Sequence, residues 1–392
     1  MSPDHVFDKA LAAAYPELAD LGAAAPDPVY LVGGAVSDLL LGRGRADIDL
    51  VVEGDPAALA AALGAEPRAA HSRFGTLKVD LDGHEIDIAA ARRETYARPG
   101  ALPIVDVGAP IRTDLARRDF TVNAMAVALA EPRELIDPHD GQVDLEAGVL
   151  RVIHAGSFVD DPTRAIRAAR YAARFGFVLE PGTEALLRAT DLGSVTPERT
   201  AAELRRLARE ATGVKGLELL AAWGLIEPRA GGLEWAREVD AVLVTEPWAG
   251  EVDRADALLA AAGVLDPLSP PGRREAAGPR TAPSGGGPDP AVVRAGELAN
   301  ASPTRPSEGA ALARGVDPLV LVLARARGAA WLDDWLRWRE VTLEIDGADL
   351  AAAGLAGPAI GRGLDAALAA KLDGKAPTRA DELRHALAAA GD

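Results

Sequence analysis

Cysteine is absent from this chain, which removes disulfides, thiolate-bound zinc and a thiol nucleophile together. Aromatic residues amount to 4% and methionine occurs twice, so any core is built mainly from aliphatic side chains and alanine. No stretch approaches the ~20 consecutive apolar residues of a membrane span, and residues 1–20 lack the basic start and apolar centre of a secretory leader. A cytoplasmic protein with no membrane partner is expected. The six histidines are scattered without metal-ligand spacing, His139 and His154 among them, so a metal in this protein would sit on oxygen. Positive charge is also in deficit. The 42 Lys and Arg face 59 Asp and Glu, a net of -17, which argues against a nucleic-acid partner unless basic residues are gathered locally.

A chain of 392 residues with 48% hydrophobic content exceeds what one core usually serves, and two or more domains are expected. After a helical leader over 1–27, residues 28–155 mix short β-type runs with turn signals, as in 29–32, 48–52, 77–81 and 85–89. From Pro162 the pattern changes to Ala, Leu and Arg at helical spacing. The expected fold class is therefore α+β: a head with a mixed sheet over 28–155, then all-helical neck and body over 156–268. Residues 269–306 are rich in Pro, Gly and Ser and read as a linker, with one short helix near 291–299. A helical tail over 307–392 follows.

Within the head, Leu31-Val32-Gly33-Gly34-Ala35-Val36-Ser37-Asp38 precedes Asp47-Ile48-Asp49-Leu50-Val51-Val52, and Glu85-Ile86-Asp87-Ile88 comes later. Residues two apart on a strand project to one face, so Asp47 and Asp49 share a side opposite Ile48. Asp87, in a second alternating strand, can bring a third carboxylate there. Clustered carboxylates suit one or two Mg²⁺ ions, which prefer oxygen and keep positions for water or substrate phosphate. Gly33 and Gly34, after a strand and before a short helix, let the backbone approach a phosphate. Alone, Gly-Gly is an ordinary turn and Asp-x-Asp an ordinary strand edge; in this order and spacing they describe metal-dependent nucleotidyl transfer.

Asp161 and Arg164, at the start of the first long helical stretch, are three apart and share a helix face. Cytosine and adenine each show an amino donor beside a ring-nitrogen acceptor, which a carboxylate and a guanidinium complement, whereas uracil and guanine show a carbonyl beside N–H. Asp before Pro at a helix start is equally an ordinary cap, and both readings stand at this point. Arg164, Arg167, Arg170 and Arg174 fall within one arc of the helix. They form either a basic stripe for phosphates or a solvated face, and Arg205, Arg206 and Arg209 extend the same alternatives. Between Asp87 and Arg118, the run with Arg92, Arg93, Glu94, Tyr96 and Arg98 reads as a loop, and Arg112 and Asp114 either help to position a nucleotide or, as the simpler reading, are soluble loop residues. Trp331, Trp335 and Trp338 at helical spacing, with Leu332 and Leu336, read as core packing rather than a base-stacking platform.

The head motifs, with Arg117-Arg118-Asp119-Phe120-Thr121-Val122-Asn123-Ala124, residues 157–177, Ile345-Asp346-Gly347-Ala348-Asp349-Leu350 and Gly357-Pro358-Ala359-Ile360-Gly361, resemble the bacterial (class II) tRNA nucleotidyltransferases. These are the CCA-adding enzymes and their A-adding relatives, in the superfamily of poly(A) polymerases and kanamycin nucleotidyltransferases. The resemblance spans nearly the whole chain. It implies metal ligation by Asp47 and Asp49, a catalytic site completed by Asp87, and nucleotide binding by Arg118, Asp119 and Asn123. It also implies selection of CTP and ATP by Asp161 and Arg164, with tRNA as partner and a tail that holds the tRNA elbow. The length of the segment after Asp87 resembles the loop of relatives that add the terminal A. Ser37 departs from the family pattern Gly-Gly-x-Val-Arg-Asp, where its place holds Arg, and the departure implies one cation fewer near the phosphate end. The expected activity is transfer of CMP, AMP or both to a tRNA 3′ end, with a poly(A) polymerase or a catalytically silent RNA-binding protein as alternatives.

Overall fold

The computed structural model describes residues 11–18, 21–43, 47–71, 75–81, 83–265 and 289–390, and it divides into two compact units, 1–225 and 226–392. The division falls inside the segment 156–268 that the sequence presents as one block.

Among the described residues, helical residues 11–14 are followed in the first unit by two short helical turns, Pro16–Leu18 and Leu21–Ala24. Strand β1 (Val29–Val32) then leads through Gly33 into helix α1 (Gly34–Leu40), and β2 (Ile48–Val52) follows. Asp55 accepts a hydrogen bond from the Ala57 amide and, with Pro56 in the first turn, starts α2 (Pro56–Ala62). Next come β3 (Glu66–His71), β4 (Thr76–Leu81) and β5 (His84–Ala90). Strands β6 (Arg92–Thr95) and β7 (Ile104–Val107) pair only with each other, as an antiparallel ribbon. Helix α3 (Ile111–Ala116) then leads to β8 (Ala126–Ala128) and β9 (Leu135–Ile136). The main sheet has the order β3-β4-β5-β2-β1-β8-β9. It is mixed, because β2 and β5 run parallel while every other neighbouring pair is antiparallel.

Alternation along the strands decides what faces the core. Ile48, Leu50, Ile86 and Ile88 are almost wholly buried, while Asp49 and Asp87 between them are half-buried. The parallel register sets Asp49 directly beside Asp87. This one pairing fixes the reactive end of the site.

Helices α4 (Gly141–Ala147), α5 (Ser157–Asp160), α6 (Arg164–Phe175), α7 (Pro181–Arg188), α8 (Pro197–Arg209) and α9 (Gly213–Ala222) follow, with a short parallel pair of strands, Val149–Leu150 and Val178–Leu179, the second of which interrupts the segment expected to be all helical. The alanines of α6 at 165, 168, 169, 172 and 173 are buried with Ile166, so its neighbours α8 and α9 approach closely. Gly176, at φ 76°, stops α6 in the left-handed region that glycine enters without penalty.

Among its described residues the second unit is helical throughout. It comprises α10 (Gly232–Leu243), α11 (Arg254–Ala262), α12 (Pro290–Asn300), α13 (Pro306–Ala313), α14 (Pro318–Ala326), α15 (Leu332–Trp338), α16 (Gly347–Ala352), α17 (Pro358–Leu372) and α18 (Arg379–Ala390). Residues 269–288 of the expected linker 269–306 lie outside the described residues. The remainder of that segment is α12 and the entry to α13, so the low-apolar composition ends before residue 289. Trp331 donates its indole N–H to the Leu298 carbonyl at 3.4 Å, and Trp338 packs against Gly309. These tryptophans serve packing. Among the described residues no helix is long and apolar enough to cross a membrane.

Candidate active site

A cavity of about 750 Å³ opens in the first unit, with Gly33, Gly34, Asp49 and Asp87 in its wall together with Arg118, Asp119, Asn123, Asp161, Arg164 and Arg167. The sheet supplies the carboxylates, the turn before α1 the glycines, the segment after α3 the next group, and α6 the arginines.

Gly33 has φ +71°, and a Cβ there would lie 3.4 Å from Asp49 Oδ2 and 3.6 Å from Arg118 Nη1. The turn therefore needs glycine for its positive φ, while the added Cβ itself would meet both side chains at ordinary contact distance. At Gly34 a Cβ would meet nothing within 4 Å, which leaves the backbone open to the cavity. Burial raises the Asp49 carboxyl to about 6, with Arg118 opposing the rise and Asp87 and Asp47 adding to it. Asp47 itself precedes β2, is exposed and is not part of the cavity wall, so it meets Asp49 through its charge. Lys78, directly across from Asp87 in the β4–β5 register, places its ammonium 3.1 Å from that carboxylate.

Among the described residues no three His, Cys, Asp or Glu side chains form a metal-holding group by themselves. Mg²⁺ does not require one, because it is commonly held by one or two carboxylates plus substrate phosphate and water. Asp49 beside Asp87, oxygen-only and mutually repulsive, fits that requirement.

The Arg117–Asn123 segment is fixed by a dense polar network. Asp114, fully buried on α3, receives Arg117 at 2.7 Å and Arg118 at 3.1 Å. It is a structural anchor rather than the soluble loop residue expected from the sequence, because the segment before it is the β6–β7 ribbon and a helix. Glu94, on the ribbon, accepts from Arg117 at 2.9 Å and from the Tyr96 hydroxyl at 2.9 Å. Burial and the Glu94 carboxylate push the Tyr96 phenol up to about 12. Asp119 is 5% exposed. It accepts from the Phe120 amide and from Asn123 Nδ2 through Oδ1, and from Arg167 through Oδ2 at 2.7 Å. Its burial alone would raise its pKa, but Arg167, Asn123 and Arg164 outweigh that and hold it at about 2. The bond from Nδ2 leaves Asn123 Oδ1 buried and without a partner among the described residues.

Asp161 Oδ1 accepts from the Thr163 amide and hydroxyl and from Arg199 at 3.0 Å. It thus holds the turn that leads into α6, whose N-cap is Thr163 and not Asp161 as the capping reading has it, and it also lines the cavity. Arg164 is buried, with Nη1 on Ser157 Oγ at 2.8 Å and Nη2 on the Arg117 carbonyl at 2.7 Å. Its planar group is therefore pre-oriented.

Two expectations change. The arginines of α6 do not form an open basic stripe: Arg167 pairs with Asp119, Arg174 with Asp38 at 2.6 Å, and Arg170 with Glu210 at 2.9 Å. Arg170 lies outside the cavity wall and stacks on Tyr171. Nor is position 37 at the phosphate end. Ser37 is fully buried and donates to the Val122 carbonyl at 2.6 Å, away from the cavity, so it bears on packing between α1 and the 121–123 turn. Helix α8 lends Arg206, one of the candidate basic residues, to the wall, together with Arg199 and Glu203, which sequence reasoning missed. Their spacing of four and then three on one helix was the available signal.

A mixed sheet bearing paired carboxylates beside a Gly-Gly turn defines a nucleotidyltransferase head, and residues 29–151 match the family model of the poly A polymerase head domain. The chain is 42% identical over 211 residues to an A-adding tRNA nucleotidyltransferase of Halalkalibacterium halodurans, covering 50% of this chain and 49% of that protein. It is 41% identical over 212 residues to a CC-adding tRNA nucleotidyltransferase of Deinococcus radiodurans, covering 51% and 55%. It thus spans about half the length of these curated relatives. A solved CCA-adding enzyme in complex with ATP aligns with a TM-score of 0.74 at 28% identity, over 97% of each chain. Residues 29–151 are thus similar to a poly A polymerase head domain, and the fold of the chain is that of the solved CCA-adding enzymes.

Proposed function

We propose that this protein is a tRNA nucleotidyltransferase that adds CMP, AMP or both to a tRNA 3′ end, the primer hydroxyl attacking the α-phosphate of CTP or ATP and pyrophosphate leaving. The observation that carries the reading is a single cavity with carboxylates and a Gly-Gly turn at one place and the Asp161–Arg164 pair at another.

In this reading Asp49 and Asp87, with Asp47 beside them, hold Mg²⁺. When bound, the metal lowers the pKa of the attacking hydroxyl and neutralises charge on the leaving group. Gly33 and Gly34 bring bare backbone to the triphosphate. Arg118, steadied by Asp114 and by the Asn123 carbonyl at 3.3 Å, offers a fixed cation to it. Asn123 Oδ1 accepts a sugar hydroxyl. Three donors fall on Asp161 Oδ1, so Oδ2 is left to accept the amino group of cytosine or adenine, while Arg164 donates to the neighbouring ring nitrogen. Uracil and guanine would leave the pair, with Arg164 buried, facing a carbonyl and an N–H, which costs more than a lost contact. Arg167, tied to Asp119, positions rather than touches. Arg170, outside the wall, has no direct part.

Incubation of the protein with tRNA lacking CCA, lacking only the last A, or complete, with CTP and ATP supplied separately, tests this. The expected result is extension that stops at the mature end. A poly(A) polymerase, the second reading and the one for which the head model is named, would instead grow long A tails. No incorporation on any primer would sink both and leave a silent RNA-binding protein.

A further inference from the structure

Lys78, Asp87 and Asp49 form a row across three adjacent strands, one residue from each of β4, β5 and β2, in direct register. Two positions before Asp87 on β5, and hence on the same face, stands Glu85. Lys78 Nζ lies 2.7 Å from Glu85 Oε1 and 3.1 Å from Asp87, bridging them. Asp87 and Lys78 belong to the cavity wall, whereas Glu85 does not. The ammonium is thus shared between a carboxylate inside the site and one outside it.

We infer that Lys78 is a removable counter-ion: it neutralises Asp87 while the carboxylate pair holds no metal, and swings wholly onto Glu85 when a divalent cation takes Asp49 and Asp87. This rests on the metal reading proposed above. A dication between Asp49 and Asp87 and an ammonium 3.1 Å from Asp87 compete for one carboxylate, and their mutual repulsion falls as the ammonium withdraws. The long lysine stem permits that movement without backbone change, and its side chain is 44% exposed. Arg68 spends its close contact on Asp80 and only approaches Glu85 Oε2, at 4.0 Å, so Glu85 Oε1 remains available to Lys78. Lys78 is accordingly a positioning residue that sets how tightly the metal is held. An ordinary surface ion pair at this place would have no such consequence.

The test is Mn²⁺ binding to the full chain, read from the electron paramagnetic resonance signal of free Mn²⁺ without RNA or nucleotide. Lys78→Met removes the competitor and should tighten binding about tenfold, equivalent to about 1.4 kcal/mol. Glu85→Gln removes the resting place, holds Lys78 on Asp87 and should weaken binding by about threefold. In the Lys78→Met background Glu85→Gln should have almost no further effect, because Glu85 acts through Lys78. Additive effects of the two substitutions, or unchanged affinity in Lys78→Met, would overturn the inference while leaving the metal site in place. Absence of Mn²⁺ binding in the wild type and every variant would overturn the metal reading and this inference together. Asp49→Asn, which should abolish binding, separates that case from adventitious ions elsewhere.

Discussion

Asp49 and Asp119 are both carboxylates of the same cavity, yet their surroundings give them opposite characters. Asp49 lies beside Asp87 in register and its carboxyl is lifted to about 6 by burial and like charge, the condition of a group that gains from a cation. Asp49→Asn keeps the shape and removes one charge. Nucleotide incorporation should fall by at least about a thousandfold, with tRNA affinity within twofold of wild type; retained incorporation would refute the assignment. Asp119, by contrast, already has its cation. Its folded pKa is held at about 2 against about 3.9 when unfolded. The stabilisation is therefore fully present above pH ~4 and is lost as pH falls toward ~2. Asp119→Asn should cost about 3 kcal/mol at neutral pH, since Arg167 is left without its partner. The gap between the two proteins in urea melts should narrow below pH 4; a constant gap would place the cost in packing instead.

At the level of elements, the β6–β7 ribbon and α8 hold the far side of the cavity. Arg199 on α8 donates to Asp161 at 3.0 Å and to the Gly100 carbonyl at 2.7 Å. Gly100 itself has φ +68° and would drive a Cβ to 2.4 Å from the Ser194 carbonyl oxygen, so only glycine permits this closure. Arg199→Ala should raise KM for both CTP and ATP about tenfold through loss of two charge-assisted bonds, with a smaller change in kcat. An equal loss in kcat alone would move Arg199 to the reactive end. The strand, Gly-Gly, helix, strand succession was legible because each of its signals is local: alternation, a positive-φ turn and a short periodic run. The state of the α6 arginines was not legible. Their partners Asp119, Glu210 and Asp38 stand 48, 40 and 136 residues away, and a helical wheel sees only its own helix. The ribbon escaped for a related reason: four-residue strands flanked by Pro, Gly and charge carry the same composition as a loop. Asp161 was read two ways, and the cap belongs to Thr163 instead, yet one Asp161 carboxylate oxygen takes the Thr163 donors of the turn into α6 while the residue still lines the cavity.

For the whole molecule the controlling quantity is the net charge of -17, carried by a protein proposed to bind a polyanion. Ion pairing inside the first unit consumes Arg167, Arg170 and Arg174, so few cations of α6 remain to release counter-ions from RNA. The logarithm of the tRNA association constant should consequently fall with the logarithm of salt at a slope of only about -2 to -3, as for three or four phosphate contacts. The folded state responds to salt in the other direction. Like charges repel more in the compact chain than in the expanded one, and between about 20 and 150 mM NaCl the screening length shrinks from roughly 20 to 8 Å. Screening of that repulsion should raise the temperature of the first calorimetric transition by about 2–4 °C, the shift expected for roughly 1 kcal/mol in a domain of 150–250 residues. The two compact units, 1–225 and 226–392, call for following that transition separately from any second one. A steep RNA slope together with a salt-independent melting temperature would mean that a basic surface, rather than the cavity, dominates both binding and electrostatics.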